Sequence, residues 1–172
     1  VSLEALKRLR LDAVWWLVSP QNPLKPPAPA DLARRIAMAR KLAGDPRIKV
    51  TGVEAALGTT YTADTLSRLK VQLPGVRLVW MMGADNLASF HRWRDWRRIA
   101  AEVPVAVFNR PGLALRAIAG PAARTLAGHR IRERDAARLA DMAPPAWVFL
   151  SAPHVPLSST QLRARGDSPV AS

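Results

Sequence analysis

The chain has no cysteine, which removes disulfides and thiolate metal sites at the outset. Its histidines, His91, His129 and His154, stand isolated, with no partner ligands at metal spacing, so no metal site is expected. No apolar run reaches the length of a membrane span, and no signal-peptide pattern opens the sequence. A soluble, cytoplasmic protein is therefore expected. There is no phosphate-binding G-x-x-x-x-G-K-[ST] loop and no Ser-His-Asp pattern. No block of five or more like charges is present, and nothing in the chain repeats.

What is present is a domain-sized, apolar chain. Its 172 residues are 49% hydrophobic, enough for one domain with a real core and too apolar for a disordered chain. Net charge is +13, from 26 Lys and Arg against 13 Asp and Glu. That balance suits polyanions, including nucleotide phosphates, and it is also what an arginine-rich proteome produces. The basic residues are dispersed over helical faces rather than clustered, which argues against a nucleic-acid-binding module.

Apolar runs and helical patterns alternate. A short amphipathic helix (Ser2 to Arg10) precedes a buried strand between Asp12 and Ser19. Pro20 to Pro29 has five prolines in ten residues and reads as a stiff loop leaving the carboxyl end of that strand. Asp31 can cap a helix from Leu32 to Ala43, Arg47 to Val53 alternates like a strand, and Ala63 to Gln72 is a second helix. Val76 to Met82 is an apolar run ended by Gly83, where the backbone is expected to turn, with Asp85 and Asn86 as capping types. An Arg/Trp-rich helix from Asn86 to Ala101, a strand from Val103 to Phe108, a charged helix from Arg132 to Met142 and a strand from Trp147 to Ser151 follow. Residues 113–130 carry no clear pattern, and Ser158-Ser159-Thr160 caps a last helix, Gln161 to Ala164. Such alternation, with strands too apolar for an exposed antiparallel sheet, predicts a doubly wound parallel α/β sheet over residues 1–166 and a flexible tail over 167–172.

Several segments are suited to holding a nucleotide. A strand that breaks at Gly83 and starts a helix leaves free N–H groups and a positive dipole end at its tip. Tyr61-Thr62-Ala63-Asp64-Thr65-Leu66 offers hydroxyls and N–H groups at a helix start, where a carboxylate or phosphate fits, although an ordinary cap explains the same residues. Leu157-Ser158-Ser159-Thr160-Gln161-Leu162-Arg163 offers three hydroxyl residues and an arginine that can fork onto phosphate oxygens. Trp93, flanked by Arg92 and Arg94, can stack on a heterocycle or pack in the core, and core packing is expected for Trp96. Asn22 and Lys25 sit on the proline loop.

Together these segments resemble the nicotinate-nucleotide adenylyltransferase family. The resemblance is carried by Val14 to Lys25, Tyr61 to Leu66, Gly83-Ala84-Asp85-Asn86-Leu87 with Arg92-Trp93, and Leu157 to Arg163, in the family's order; the last is similar to the I-S-S-T-x-I-R signature of the wider nucleotidyltransferase superfamily. It implies a Rossmann-like fold and adenylyl transfer from ATP, with Mg²⁺, to nicotinate mononucleotide. It assigns Asn22, Lys25, Tyr61, Thr62, Asp85, Trp93 and Arg94 to the mononucleotide, and Gly83, Asp85, Ser158, Ser159, Thr160 and Arg163 to ATP. The family opens on a strand and a G-S-F-x-P-x-H-x-G-H motif, and this chain begins at Val1 in the helix that would follow. The expectation is an N-terminally incomplete domain with no catalytic residue in the chain, a gap between two half-sheets, and little adenylyl transfer as written. The alternatives are a phosphopantetheine adenylyltransferase and a fragment that only binds nucleotide.

Overall fold

The computed structural model describes residues 1–19, 29–109 and 117–151. Six strands are described there, all in parallel pairings. β1 (Val14–Leu17) pairs with β2 (Ile48–Thr51) in a two-stranded sheet. β3 (Trp80–Gly83), β4 (Val105–Phe108), β5 (Arg130–Ile131) and β6 (Trp147–Leu150) form a four-stranded sheet in the order β3-β4-β6-β5. In register, Gly83 lies beside Phe108 and Phe108 beside Leu150, so three strands end level at one carboxyl edge.

The larger sheet is buried because helices cover both faces. Val105, Val107, Trp147 and Phe149 enter one core. The core also takes residues of α4 (Thr62–Gln72), α5 (Ala84–Ser89), α6 (Trp96–Glu102) and α7 (Pro121–Thr125). The alternate residues Ala106, Phe108, Val148 and Leu150 enter a second core. There they meet Ala5, Leu6 and Leu9 of the first helix, α1 (Ser2–Arg8), and its C-cap, and Ala136 and Leu139 of the 3₁₀ segment Glu133–Asp141. Period-two alternation of apolar residues supplies both cores at once, each buried Val, Leu or Phe side chain contributing about 1.5–3 kcal/mol.

The two sheets are joined by the second core rather than by a hydrogen-bonded ladder. Val14 and Ile48 point into it, and Trp16, Val79 and Met81 pack half-buried against it. The indole N–H of Trp16 donates to Ser2 Oγ at 2.9 Å, tying α1 to β1. The parallel α/β architecture with helices on both faces is as the sequence implies, and the described strands form two half-sheets. Helix α2 (Pro29–Ala43) covers the end of β2 so closely that a Cβ on Gly52 would lie 2.9 Å from Ile36 Cδ1.

Some expectations are corrected. The apolar run at Val76 becomes strand only from Trp80, because Val76, just past the Pro74-Gly75 turn, is 52% exposed. The chain does pass from strand to helix at Gly83, whose backbone is extended (φ −79°, ψ 161°) and forms the N-cap of α5. The Asp85 carboxylate folds back over Gly83, so a Cβ there would have to displace that flexible side chain. Asp85 therefore sits in the first turn rather than capping it. Asp31 likewise lies inside α2, in its first turn. The single helix expected from Asn86 to Ala101 is broken into α5, a 3₁₀ turn (Phe90–Arg92) and α6. Asp95 takes φ 53° at the break, an uncommon conformation for a residue other than glycine. The segment expected as a helix at Arg132 is the 3₁₀ stretch Glu133–Asp141. Elements without an expectation are α3 (Val53–Leu57), closed by Gly58 at φ 62°, α7, the 3₁₀ turn Ala127–His129 and β5. The loop at residues 20–28, the final helix and the tail at 167–172 lie outside the described residues.

Candidate functional site at the carboxyl ends of the strands

The first part of the site is the N-terminus of α4. Tyr61 precedes the helix in an extended conformation, and no side chain caps the exposed N–H groups. Two buried hydroxyls hold this entry: Thr59 Oγ1 and Thr65 Oγ1 share a 2.8 Å hydrogen bond, and the Thr65 hydroxyl and backbone N–H both donate to the Tyr61 carbonyl, at 3.2 and 3.0 Å. The Arg68 guanidinium donates to the Leu57 carbonyl from behind. Thr62, at the first helical position, is half-buried and its hydroxyl bonds to none of the described residues. The result is a rigid helix start with uncommitted donors, suited to a carboxylate or phosphate.

The second part is the break between α5 and α6. Trp93 is half-buried and held edge-on by Phe90, at 5.5 Å between ring centres, and by Trp80, at 6.4 Å. Trp96 is buried and also meets Phe90 edge-on, at 5.6 Å, so the expected core role of Trp96 is observed. Trp93 is thus an aromatic fixed by the core yet partly open to solvent, which suits a stacking surface because little order is lost on binding.

These two parts meet. The Arg94 guanidinium lies over the Tyr61 ring, 4.4 Å from its centre. Behind that contact, Arg98 pairs with Asp64, and its Nε lies 3.6 Å from Glu102. Ser67 donates to the Glu102 carboxylate at 2.7 Å, and Lys70 to the Glu102 carbonyl at 2.9 Å. Polar bonds thus lock α4 against α6, over 30 residues apart in sequence. Four of the expected residues, Tyr61, Thr62, Trp93 and Arg94, are brought to one place.

Gly83 and Asp85 lie at the carboxyl edge of β3, with Asp85 exposed at the start of α5. Next along the edge, Asn109 follows β4, its N–H donating to the Leu150 carbonyl at 2.8 Å. Ser151, after β6, is held by Glu133: its N–H donates to Oε1 at 2.8 Å and its hydroxyl to Oε2 at 3.2 Å. Arg8 donates to the Ser151 carbonyl at 2.7 Å and pairs with Glu133. Burial pushes the Glu133 carboxyl up, but Arg8 and Ser151 outweigh it and leave the group below its ordinary value. Beyond β1, the Ser19 carbonyl accepts from Arg35 at 2.8 Å, and the Ser19 hydroxyl bonds the buried Glu54, whose carboxyl burial nevertheless keeps above its ordinary value. Sequence reasoning missed Asn109, Glu54 and Ser151; for Asn109 and Ser151 the available signal was a polar residue directly after an apolar strand, whereas Glu54 lies within α3 and gave none. Asn22, Lys25, Ser158, Ser159, Thr160 and Arg163 lie outside the described residues. Among the described residues no group of three or more His, Cys, Asp or Glu could hold a metal ion, and no helix is long and apolar enough to cross a membrane.

Comparison with known proteins fits this layout. The cytidylyltransferase-like family model matches residues 2–165. A protein of Cereibacter sphaeroides described as a probable nicotinate-nucleotide adenylyltransferase is 58% identical over 166 residues, covering 96% of this chain and 88% of that protein. A Bradyrhizobium protein with the same description is 56% identical over 164 residues, covering 95% of this chain and 85% of its own length. Among solved structures, Plasmodium falciparum nicotinic acid mononucleotide adenylyltransferase complexed with APC superposes with a TM-score of 0.57. It covers 90% of this chain and 68% of its own at 12% identity, and so supports the fold alone. Taken with the parallel α/β fold, these matches show that the chain belongs to the nicotinate-nucleotide adenylyltransferase family.

Proposed function

We propose that this chain transfers the adenylyl group of ATP to nicotinate mononucleotide, giving nicotinate adenine dinucleotide and pyrophosphate in NAD biosynthesis in the cytoplasm. Family membership supports the reaction. The structural observation that carries the acceptor is the meeting of the α4 N-terminus with the Trp93-Arg94 break, where Arg94 covers Tyr61 at 4.4 Å. A pyridine carboxylate needs a flat apolar surface and a nearby source of N–H donors. Trp93 supplies the surface; the Thr62 entry and the backbone N–H of Arg94 supply donors for the carboxylate. Tyr61, held under Arg94, closes the side of the pocket. Asp85, at the carboxyl edge of β3, accepts from the ribose hydroxyls.

In the reaction a phosphate oxygen of the mononucleotide attacks the α-phosphorus of ATP. The new P–O bond forms as the bond to the bridging oxygen of the β-phosphate breaks, and pyrophosphate leaves with the electron pair. Magnesium arrives with ATP as part of the substrate and offsets phosphate charge. No covalent enzyme intermediate is required, so the chain's own work is alignment and charge neutralisation. We assign Asn22 and Lys25 to the acceptor phosphate, and Gly83, Ser158, Ser159, Thr160 and Arg163 to ATP, on sequence resemblance.

The test is calorimetric titration with nicotinate mononucleotide. Trp93→Ala should weaken binding by ~1–3 kcal/mol, the range for losing one base-on-aromatic stack, with ATP binding retained. Unchanged mononucleotide affinity in a folded variant, or equal binding of phosphopantetheine by the wild type, would overturn the reading.

A further inference from the structure

At the carboxyl edge of the larger sheet, Asn109 Oδ1 is buried and accepts no hydrogen bond from the described residues. A buried acceptor without a donor is costly, and native structures keep few of them without a reason such as a ligand. Asn109 is not loosely placed. Its N–H is committed to the Leu150 carbonyl at 2.8 Å, which extends the β4–β6 ladder by one residue and sets the direction of the side chain. By strand alternation Asn109 follows Val105 and Val107, which enter the core shared with α5. Its side chain therefore leaves the sheet on the face where α5 begins, and the residue before it, Phe108, pairs with Gly83, the N-cap of that helix. The orphan oxygen lies one strand over from Gly83 and Asp85, in the crevice where open α/β sheets bind ligands.

We propose that Asn109 reads the nucleoside part of ATP, its Oδ1 accepting a hydrogen bond from an N–H or O–H of adenosine. This rests on the adenylyltransferase reading and adds a specificity residue to it. The chemistry narrows the partner. A phosphate presents only acceptors at neutral pH and cannot satisfy Oδ1, whereas adenosine carries a 6-amino group and two ribose hydroxyls. The position within the sheet favours ATP over the mononucleotide. β4 is hydrogen-bonded to β6, whose exit leads in sequence toward Ser158 and Arg163, whereas Asn22 and Lys25 follow β1, a strand of the other sheet.

The experiment compares wild type, Asn109→Ala and Asn109→Asp by titration with ATP, inosine triphosphate, 2′-deoxy-ATP, 3′-deoxy-ATP, inorganic tripolyphosphate and nicotinate mononucleotide. Wild type should bind one of the three nucleotide analogues about tenfold more weakly than ATP, that analogue being the one lacking the donor read by Oδ1. Asn109→Ala should bind ATP about tenfold more weakly and lose the preference, with tripolyphosphate and mononucleotide affinities unchanged. Asn109→Asp, which keeps an oxygen acceptor in place, should retain the preference, and it carries the test if the alanine variant fails to fold. The proposal is overturned if wild type binds all four nucleotides equally. It is equally overturned if a folded Asn109→Ala binds ATP like wild type, or loses ATP and tripolyphosphate in parallel. If wild type binds neither ATP nor the mononucleotide, the adenylyltransferase reading fails and the proposal goes with it; binding of both, with no change in the variants, sinks the proposal alone.

Discussion

The four-stranded sheet and the two-stranded sheet use the same kind of strand in different surroundings. Every residue of β4 and β6 is buried, whereas β1 and β2 each bury only their first. Trp15, in the middle of β1, is 43% exposed. The larger sheet has helices on both faces; the smaller shares one face with the second core and has α2 packed against β2. Apolar strand residues contribute stability only where a second layer covers them, so similar four-residue strands differ in worth. The acids differ in the same way. Glu133, under the larger sheet, is answered by Arg8 and Ser151, while Glu54, beside the smaller one, is buried with a neutral Ser19 hydroxyl.

The strongest way to sharpen the comparison is to remove one large ring from each side. Phe90 is fully buried and braces both Trp93 and Trp96. Phe90→Ala should cost about 3–5 kcal/mol in urea unfolding and loosen the Trp93 surface as well. Trp15→Ala, on the exposed face of β1, should cost below ~1 kcal/mol. Equal losses would mean that the two sheets are equally well covered.

Amide hydrogen exchange reads the same contrast without mutation. The amides of β4 and β6 should exchange only by near-global unfolding. Those of β1 and β2 should open about 2 kcal/mol more easily, roughly 30-fold in protection. Uniform protection across all six strands would break the distinction.

The smallest effect is in the pH dependence. Glu133 ionises more readily folded than unfolded, so its stabilisation is present above the unfolded value and fades as pH falls through the folded one. Glu54 is the reverse: its carboxyl is raised, so stability is lost as pH rises past the unfolded value toward the folded one. Thermal melts should therefore show Glu133→Gln lowering Tm near neutrality and converging with wild type in acid. Glu54→Gln should raise Tm near neutrality, with the gap closing in acid. Parallel Tm curves for both variants would refute the assignment.

The strands around Val14, Ile48, Val105 and Trp147 were legible because each is a short apolar run bounded by breakers, and α1, α2 and α4 because apolar residues recur at helical spacing. The pieces of the candidate site were legible as residue types: an aromatic among arginines, hydroxyls at a helix start, an acid after a strand-ending glycine. Their assembly was not. The contact of Arg94 with Tyr61 spans 33 positions and depends on α4 packing against α6. The break that frees Trp93 from a continuous helix depends on the left-handed Asp95, which no periodicity reveals. β5 has two residues and exists only because β6 offers an unpaired edge. Asn109 is an unremarkable polar residue in the sequence, and what singles it out at the carboxyl edge is a buried oxygen with no partner among the described residues.

By itself, then, the order of residues determined the alternation of strand and helix, the parallel class of the fold and the family, because periodicity and local motifs act over a few residues. Tertiary structure alone decided that the two half-sheets are joined by a shared core, and which polar groups meet at the carboxyl edge. Burial, ring contacts and hydrogen bonds between distant segments are set by how layers pack, and local sequence carries no record of them.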